Sequence, residues 1–176
     1  MKHGKKIADL LTLIRGLLGI AIAAMGLVGG KDALPLVVVT LVLAWLTDLV
    51  DGVFARRDPN PAPGRLAQHD AKADMAVGLG VMAYLALSGY VPLWLGALII
   101  LLALVVRIWH SRALAFPFFA SSYVFLGVAI WQQQPNLFAI IGAYLLIVFI
   151  LRWRRLRDEY LPEFFEALSS FRKKQH

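Results

Sequence analysis

The stretch DLVDGVFARRDPNPAPGRLAQHDAKAD, residues 48–74, decides how the rest of the chain is read. Of its five aspartates, four, Asp48, Asp51, Asp70 and Asp74, stand at the ends of two long apolar runs, and Asp58 stands in the connection between them. An aspartate near the middle of a bilayer costs roughly 2.5–3.5 kcal/mol. Four held together repel one another unless cations compensate them. Their spacing gives them common directions. Asp48, Asp51 and Ala55 stand at i, i+3, i+7, one face of a helix; Asp70 and Asp74 stand at i, i+4, one face of the next. Two helices joined by a short loop can turn all four carboxylates into one space, which is how a protein holds divalent metal.

Working outward, the chain has 176 residues, 60% of them hydrophobic, with a mean hydropathy of +0.70. A soluble domain is nearer half apolar. Six apolar segments are legible, at 10–29, 34–55, 67–88, 91–109, 113–132 and 136–152. Each is close to the ~20 residues a spanning helix needs. The connections GGKD, RDPNPAPGR, SGYVP, RIWHSR and QQQPN are short and polar or turn-like. The expectation is an all-α bundle of six transmembrane helices forming one membrane domain over 1–157. A charged, aromatic-rich cytoplasmic tail lying on the membrane surface follows over 158–176. The chain has no cysteine, which excludes disulfides and thiolate metal sites.

The basic residues orient the bundle. With the N-terminus in the cytoplasm, every one of the 18 Lys and Arg except Lys31 falls inside, as the positive-inside rule requires. The net charge of +7 is then a topology signal with anionic-lipid contact as a secondary reading, and nucleic acid is not expected as a partner. Both termini and all four aspartates are expected on the cytoplasmic side of a bacterial-type inner or plasma membrane. The N-terminal run has the look of a signal peptide, but Arg15 interrupts it and five further spans follow, so it is read as a retained helix.

Hard oxygen ligands select Mg²⁺, Mn²⁺ or Ca²⁺. Two such ions sharing carboxylates can clamp a phosphate through a displacement. A neighbouring carboxylate can take a proton from an attacking hydroxyl. Gly52, Ala55 and Gly64 are small enough for a planar or phosphate group to approach the backbone, and Arg56 stands among them. The residues alone therefore suggest metal-assisted phosphoryl chemistry at the inner membrane face.

DLVDGVFAR, followed after a loop by DAKAD, closely resembles the signature of the CDP-alcohol phosphatidyltransferase family, D-x-x-D-G-x-x-A-R and then G-x-x-x-D-x-x-x-D. Every fixed position of the first half matches, and the Asp70–Asp74 spacing is kept. The pattern's second glycine would fall at Leu66; the nearest here is Gly64, in a loop stiffened by Pro59, Pro61 and Pro63. In the first helix, ADLLTLIR at 8–15 is similar to the family's P-N-x-L-T-x-x-R, with Thr12 and Arg15 matching and Ala8 and Asp9 departing. The resemblance implies transfer of a substituted phosphate from a CDP-linked donor, usually CDP-diacylglycerol, to an alcohol, with release of CMP. It implies Mg²⁺ or Mn²⁺ in a two-metal site and commonly a homodimer. Asp48, Asp51 and Asp70 become metal ligands by that likeness, with Asp74 completing the second metal and acting as base. Gly52 and Ala55 would line the cytidine pocket and Arg56 would sit near the donor phosphates. Thr12, Arg15 and Gly64 are grouped with the substrate-binding residues.

Arg107 and Arg112 read either as positive-inside markers or as a clamp for an acceptor phosphate, since arginine suits bidentate phosphate binding. Basic residues near the inner mouth favour an acceptor such as glycerol 3-phosphate, the choice of a phosphatidylglycerophosphate synthase-like member; inositol phosphate, serine and a second phosphatidylglycerol stay open. Two other readings stand beside this one: a divalent-cation transporter, and a catalytically silent relative that binds CDP-lipid. The transporter predicts acids at several depths, whereas none occurs after the third segment until Asp158. Among bland readings, His69 is taken as a solvated loop residue, Tyr84, Tyr90, Trp94 and Trp131 as interfacial belt residues, and Ser121 and Ser122 as makers of helix–helix hydrogen bonds.

Overall fold

The apolar runs fold into helices with little between them. The computed structural model describes residues 2–56, 65–109, 112–155 and 157. Among these it contains six α-helices and no strand: α1 (Lys2–Val28), α2 (Leu34–Arg56), α3 (Arg65–Leu87), α4 (Leu93–Trp109), α5 (Arg112–Gln133) and α6 (Pro135–Arg155). A short 3-10 turn, Gly30–Ala33, joins α1 to α2. Leu10–Val28 and Gly30–Asp48 are long and apolar enough to cross a bilayer, and Leu93–Trp109 and Pro135–Ile147 are shorter apolar helices. The loop over 57–64 and the tail over 158–176 lie outside the described residues.

The chain divides into two compact units, 1–100 and 101–176. In the first, α1 packs against both α2 and α3. Its buried stripe is Arg15, Gly19, Ile22 and Gly26, at i, i+4, i+7, i+11. The opposite face carries Leu10, Leu13, Leu17, Ile20 and Leu27, all exposed. Large apolar side chains on the outside of a helix whose inside holds an arginine are the reverse of a water-soluble design and suit lipid contact.

Glycine sets how near α1 comes to α3. A Cβ on Gly19 would stand 2.6 Å from the backbone carbonyl carbon and oxygen of Ala76, and one on Gly80 would meet the carbonyl of Gly19. Small residues of this kind let two helix backbones touch, and van der Waals packing at that distance is what associates helices within lipid. The far end of the pair is closed by tyrosines. Tyr84 Oη donates to the carbonyl of Gly30 at 3.1 Å. Tyr90 Oη donates to that of Lys31 at 3.4 Å, with the Lys31 ammonium 5.3 Å from the Tyr90 ring centre. Tyr84 is thus fully buried, not a belt residue, and its hydroxyl finds a turn carbonyl. Trp94 and Trp131 are exposed, as a belt would have them. Gly89, with φ +78°, makes the sharp exit from α3.

In the second unit α5 packs on α6. Only Gln134 separates them, and Pro135 opens α6 at the position where a missing N–H costs nothing. Trp131 and Phe138 meet edge to face across the connection at 5.2 Å. Ser122 is buried, while Ser121 donates to the Phe118 carbonyl of its own helix rather than across to another.

Candidate active site

The buried stripes of α1, α2 and α3 each end in a charge. On α2, Val37, Leu41 and Ala44 are buried and lead at i, i+4, i+7 to Asp48 at i+11. On α3, Asp74 precedes the buried Val77 and Val81 at i+3 and i+7. On α1 the stripe begins at Arg15. The three charges meet. Arg15 Nη1 donates to Asp74 Oδ1 at 2.8 Å and stands 3.3 Å from Asp48 Oδ1.

Burial is graded across this triad: the Arg15 side chain is 1% exposed, Asp48 31% and Asp74 56%. The guanidinium is the inner member and the carboxylates face outward. A buried guanidinium is tolerated only when paired and hydrogen-bonded. The two carboxylates, from different helices, would repel each other without a cation between them.

The other residues expected at the site fall as follows. Asp51, Gly52, Ala55 and Arg56 lie on the last turns of α2, and Asp70 one turn before Asp74 on α3; their side chains are outside the described residues. Gly64 lies outside them altogether. His69 belongs to the helical backbone of α3, not to a loop, because helix formation begins at Arg65, well before the apolar residues start. Thr12 is on α1, one turn before Arg15 and half-buried. Arg107 occupies the last turn of α4 and Arg112 the first position of α5, both in the second unit.

Sequence spacing grouped the carboxylates but missed their pairing with Arg15. The signal was present: an arginine inside an apolar run requires an acid at its own depth, and the nearest candidates are the acids at the end of α2 and the start of α3.

Among the described residues no group of three or more His, Cys, Asp or Glu side chains forms a metal site. The donor chemistry nonetheless fits a hard divalent cation. Asp48 and Asp74 offer carboxylate oxygens that already converge on one positive nitrogen, and Asp51 and Asp70 stand one turn away on the same two helices.

Comparison with known families decides the class. The family model for CDP-alcohol phosphatidyltransferase matches residues 5–162, nearly the whole chain. The chain belongs to the CDP-alcohol phosphatidyltransferase family. No curated protein and no solved structure matches it. CDP-alcohol phosphatidyltransferases are membrane-associated phosphotransferases for substituted phosphate groups, acting in lipid biosynthesis and generally dependent on divalent metal. The match takes in the whole motif from Asp48 to Asp74 and the first-helix segment that carries Thr12 and Arg15.

Proposed function

We propose that the chain transfers the phosphatidyl group of CDP-diacylglycerol to a small polar alcohol and releases CMP. The observation that carries this is the meeting of Asp48 and Asp74, the first and last aspartates of the motif, on one buried arginine from a third helix. In the reaction the acceptor hydroxyl oxygen attacks the phosphorus that bears the diacylglycerol. The bond from that phosphorus to the oxygen bridging it to CMP breaks, CMP leaves with the electron pair, and the hydroxyl proton passes to the Asp74 carboxylate. Asp74 is the most exposed of the three charges and so the one an entering hydroxyl can reach.

Asp48, Asp51, Asp70 and Asp74 would hold Mg²⁺ or Mn²⁺. Divalent ions bound there would supply neutralisation of phosphate charge and stabilisation of the entering and leaving oxygens. Gly52 and Ala55 would let the cytidine approach α2, with Arg56 near the donor phosphates and Thr12 and Gly64 at the edges of the pocket.

All six helices span the membrane, with 1–157 as the membrane domain and 158–176 as a cytoplasmic surface tail. Both termini and the site face the cytoplasm of a bacterial-type membrane, where CMP can depart. The favoured acceptor is glycerol 3-phosphate, with Arg107 and Arg112 on its phosphate, as in a phosphatidylglycerophosphate synthase-like enzyme. The working form is a homodimer.

The test is CMP release from radiolabelled CDP-diacylglycerol by the purified chain, against a panel of alcohols with and without phosphate. Activity is expected with glycerol 3-phosphate, absent in EDTA, and restored by Mg²⁺ or Mn²⁺. No CMP release with any alcohol would defeat the transferase reading, and full release in chelator would defeat the metal assignment.

A further inference from the structure

Arg15 matches a motif position grouped with substrate binding, yet its partners are the protein's own carboxylates. Its side chain is 1% exposed, against 31% and 56% for Asp48 and Asp74. Its Nη1 is committed to a 2.8 Å charge-assisted bond to Asp74, at a depth that water does not reach. It stands on α1, which packs against both carriers of the motif. The close backbone approach of α1 to α3 at Gly19 and Ala76 lies one turn from it and fixes its distance to Asp74.

We propose that Arg15 is a positioning residue, a buried cationic strut that pins Asp48 of α2 and Asp74 of α3 to one point and leaves their exposed edges to the reacting groups. The proposal rests on the assignment of those two aspartates to the reacting centre. The strut acts from behind. One nitrogen touches an oxygen of each carboxylate. It holds the like charges together in the protein itself, before any substrate arrives. A planar guanidinium can serve two acceptors from one side. An ammonium is a point charge on a flexible stem and does so less well.

The experiment uses the full chain in detergent. Thermal unfolding in EDTA is measured for the wild type, Arg15→Gln, Asp74→Asn and the double variant. If Arg15 works through Asp74, Arg15→Gln lowers Tm, and in the Asp74→Asn background it lowers Tm by less than about half as much, the signature of coupled residues. Equal losses in both backgrounds would reduce Arg15 to helix packing and overturn the proposal. Kinetics supply a second arm. Loss of positioning lowers kcat about 100-fold, with the CDP-diacylglycerol KM changed by less than about threefold and partial rescue by Arg15→Lys. A donor KM raised about tenfold or more with kcat preserved would make Arg15 a substrate ligand instead. Should Arg15→Gln fail to fold, Arg15→Lys takes its place in the Tm cycle under the same criterion. A wild-type chain that releases no CMP defeats the transferase reading alone; the Tm cycle still decides whether Arg15 and Asp74 act as one unit.

Discussion

Adding one methyl group at Gly19 should disable the site without touching a charged residue. The Cβ of Gly19→Ala would stand 2.6 Å from the carbonyl carbon and oxygen of Ala76 and 2.8 Å from the amide nitrogen of Val77. All three are backbone atoms of a helix and cannot swing aside. Comfortable contact for carbon begins near ~3.5 Å, so α1 and α3 must separate by about 1 Å. Overpacking of that kind costs typically 1–3 kcal/mol. The same separation stretches the Arg15–Asp74 bond, now 2.8 Å, out of hydrogen-bond range, and a bond to a charged group contributes about 1.5–3 kcal/mol. A 1 Å misplacement at a reacting centre costs on the order of 10²-fold in rate. The assay pairs thermal unfolding in detergent with CMP release from CDP-diacylglycerol. Gly16→Ala is the control: it lies next to Arg15, but its Cβ meets nothing within 4 Å. It should hold wild-type turnover and gain a little stability from better helix propensity, about 0.5–1 kcal/mol. Wild-type Tm and turnover in Gly19→Ala, or equal damage from Gly16→Ala, would refute the claim that helix spacing sets the site.

Asp74→Asn keeps the side chain's shape but cannot take the hydroxyl proton; kcat should fall about 10²–10⁴-fold while donor still binds in the presence of metal, and near-normal turnover would assign the proton elsewhere. Arg107→Ala and Arg112→Ala should each raise the acceptor KM roughly 10–100-fold and leave the donor KM unchanged, as expected for loss of a charged hydrogen bond; unchanged acceptor kinetics would return both arginines to a topological role. Reporter fusions at residues 60 and 110 should read cytoplasmic and at residue 90 exterior, following the charge asymmetry; the reverse would place the aspartates on the wrong face for a cytidine nucleotide.

The helices were legible because apolar runs and polar turns alternate plainly. Their ends were less so, since hydropathy marks where apolar residues stop and not where backbone hydrogen bonding stops. Lys2–Asp9 carry no apolar run yet extend α1, because lysine is a good helix former. For the same reason Gln133, one residue beyond the apolar segment 113–132, remains in α5. The carboxylate cluster was legible from spacing along single helices. The Arg15 pairing was not: it spans 59 residues of sequence to Asp74 and depends on how α1 lies against two later helices. Tyr84 was misplaced on similar grounds. A tyrosine near a helix end resembles a belt residue until the turn carbonyl it reaches, 54 residues earlier, is known.

The depth of Arg15 has a consequence for how the chain is made. Synthesis delivers α1 first, and its arginine enters the translocation machinery with neither acid yet built. On insertion scales a lone arginine at mid-helix costs roughly 2.5–3.5 kcal/mol. Arg15 sits five residues into the apolar span Leu10–Val28, close enough to its end for the long side chain to reach toward the aqueous face meanwhile. Asp48 is built first, but only when residue 74 emerges, and α3 packs against the glycines of α1, can the guanidinium form its 2.8 Å bond to Asp74. The nascent first helix is therefore a provisional guest in the lipid, held at the surface by its own charge, and becomes a permanent one through a residue translated much later.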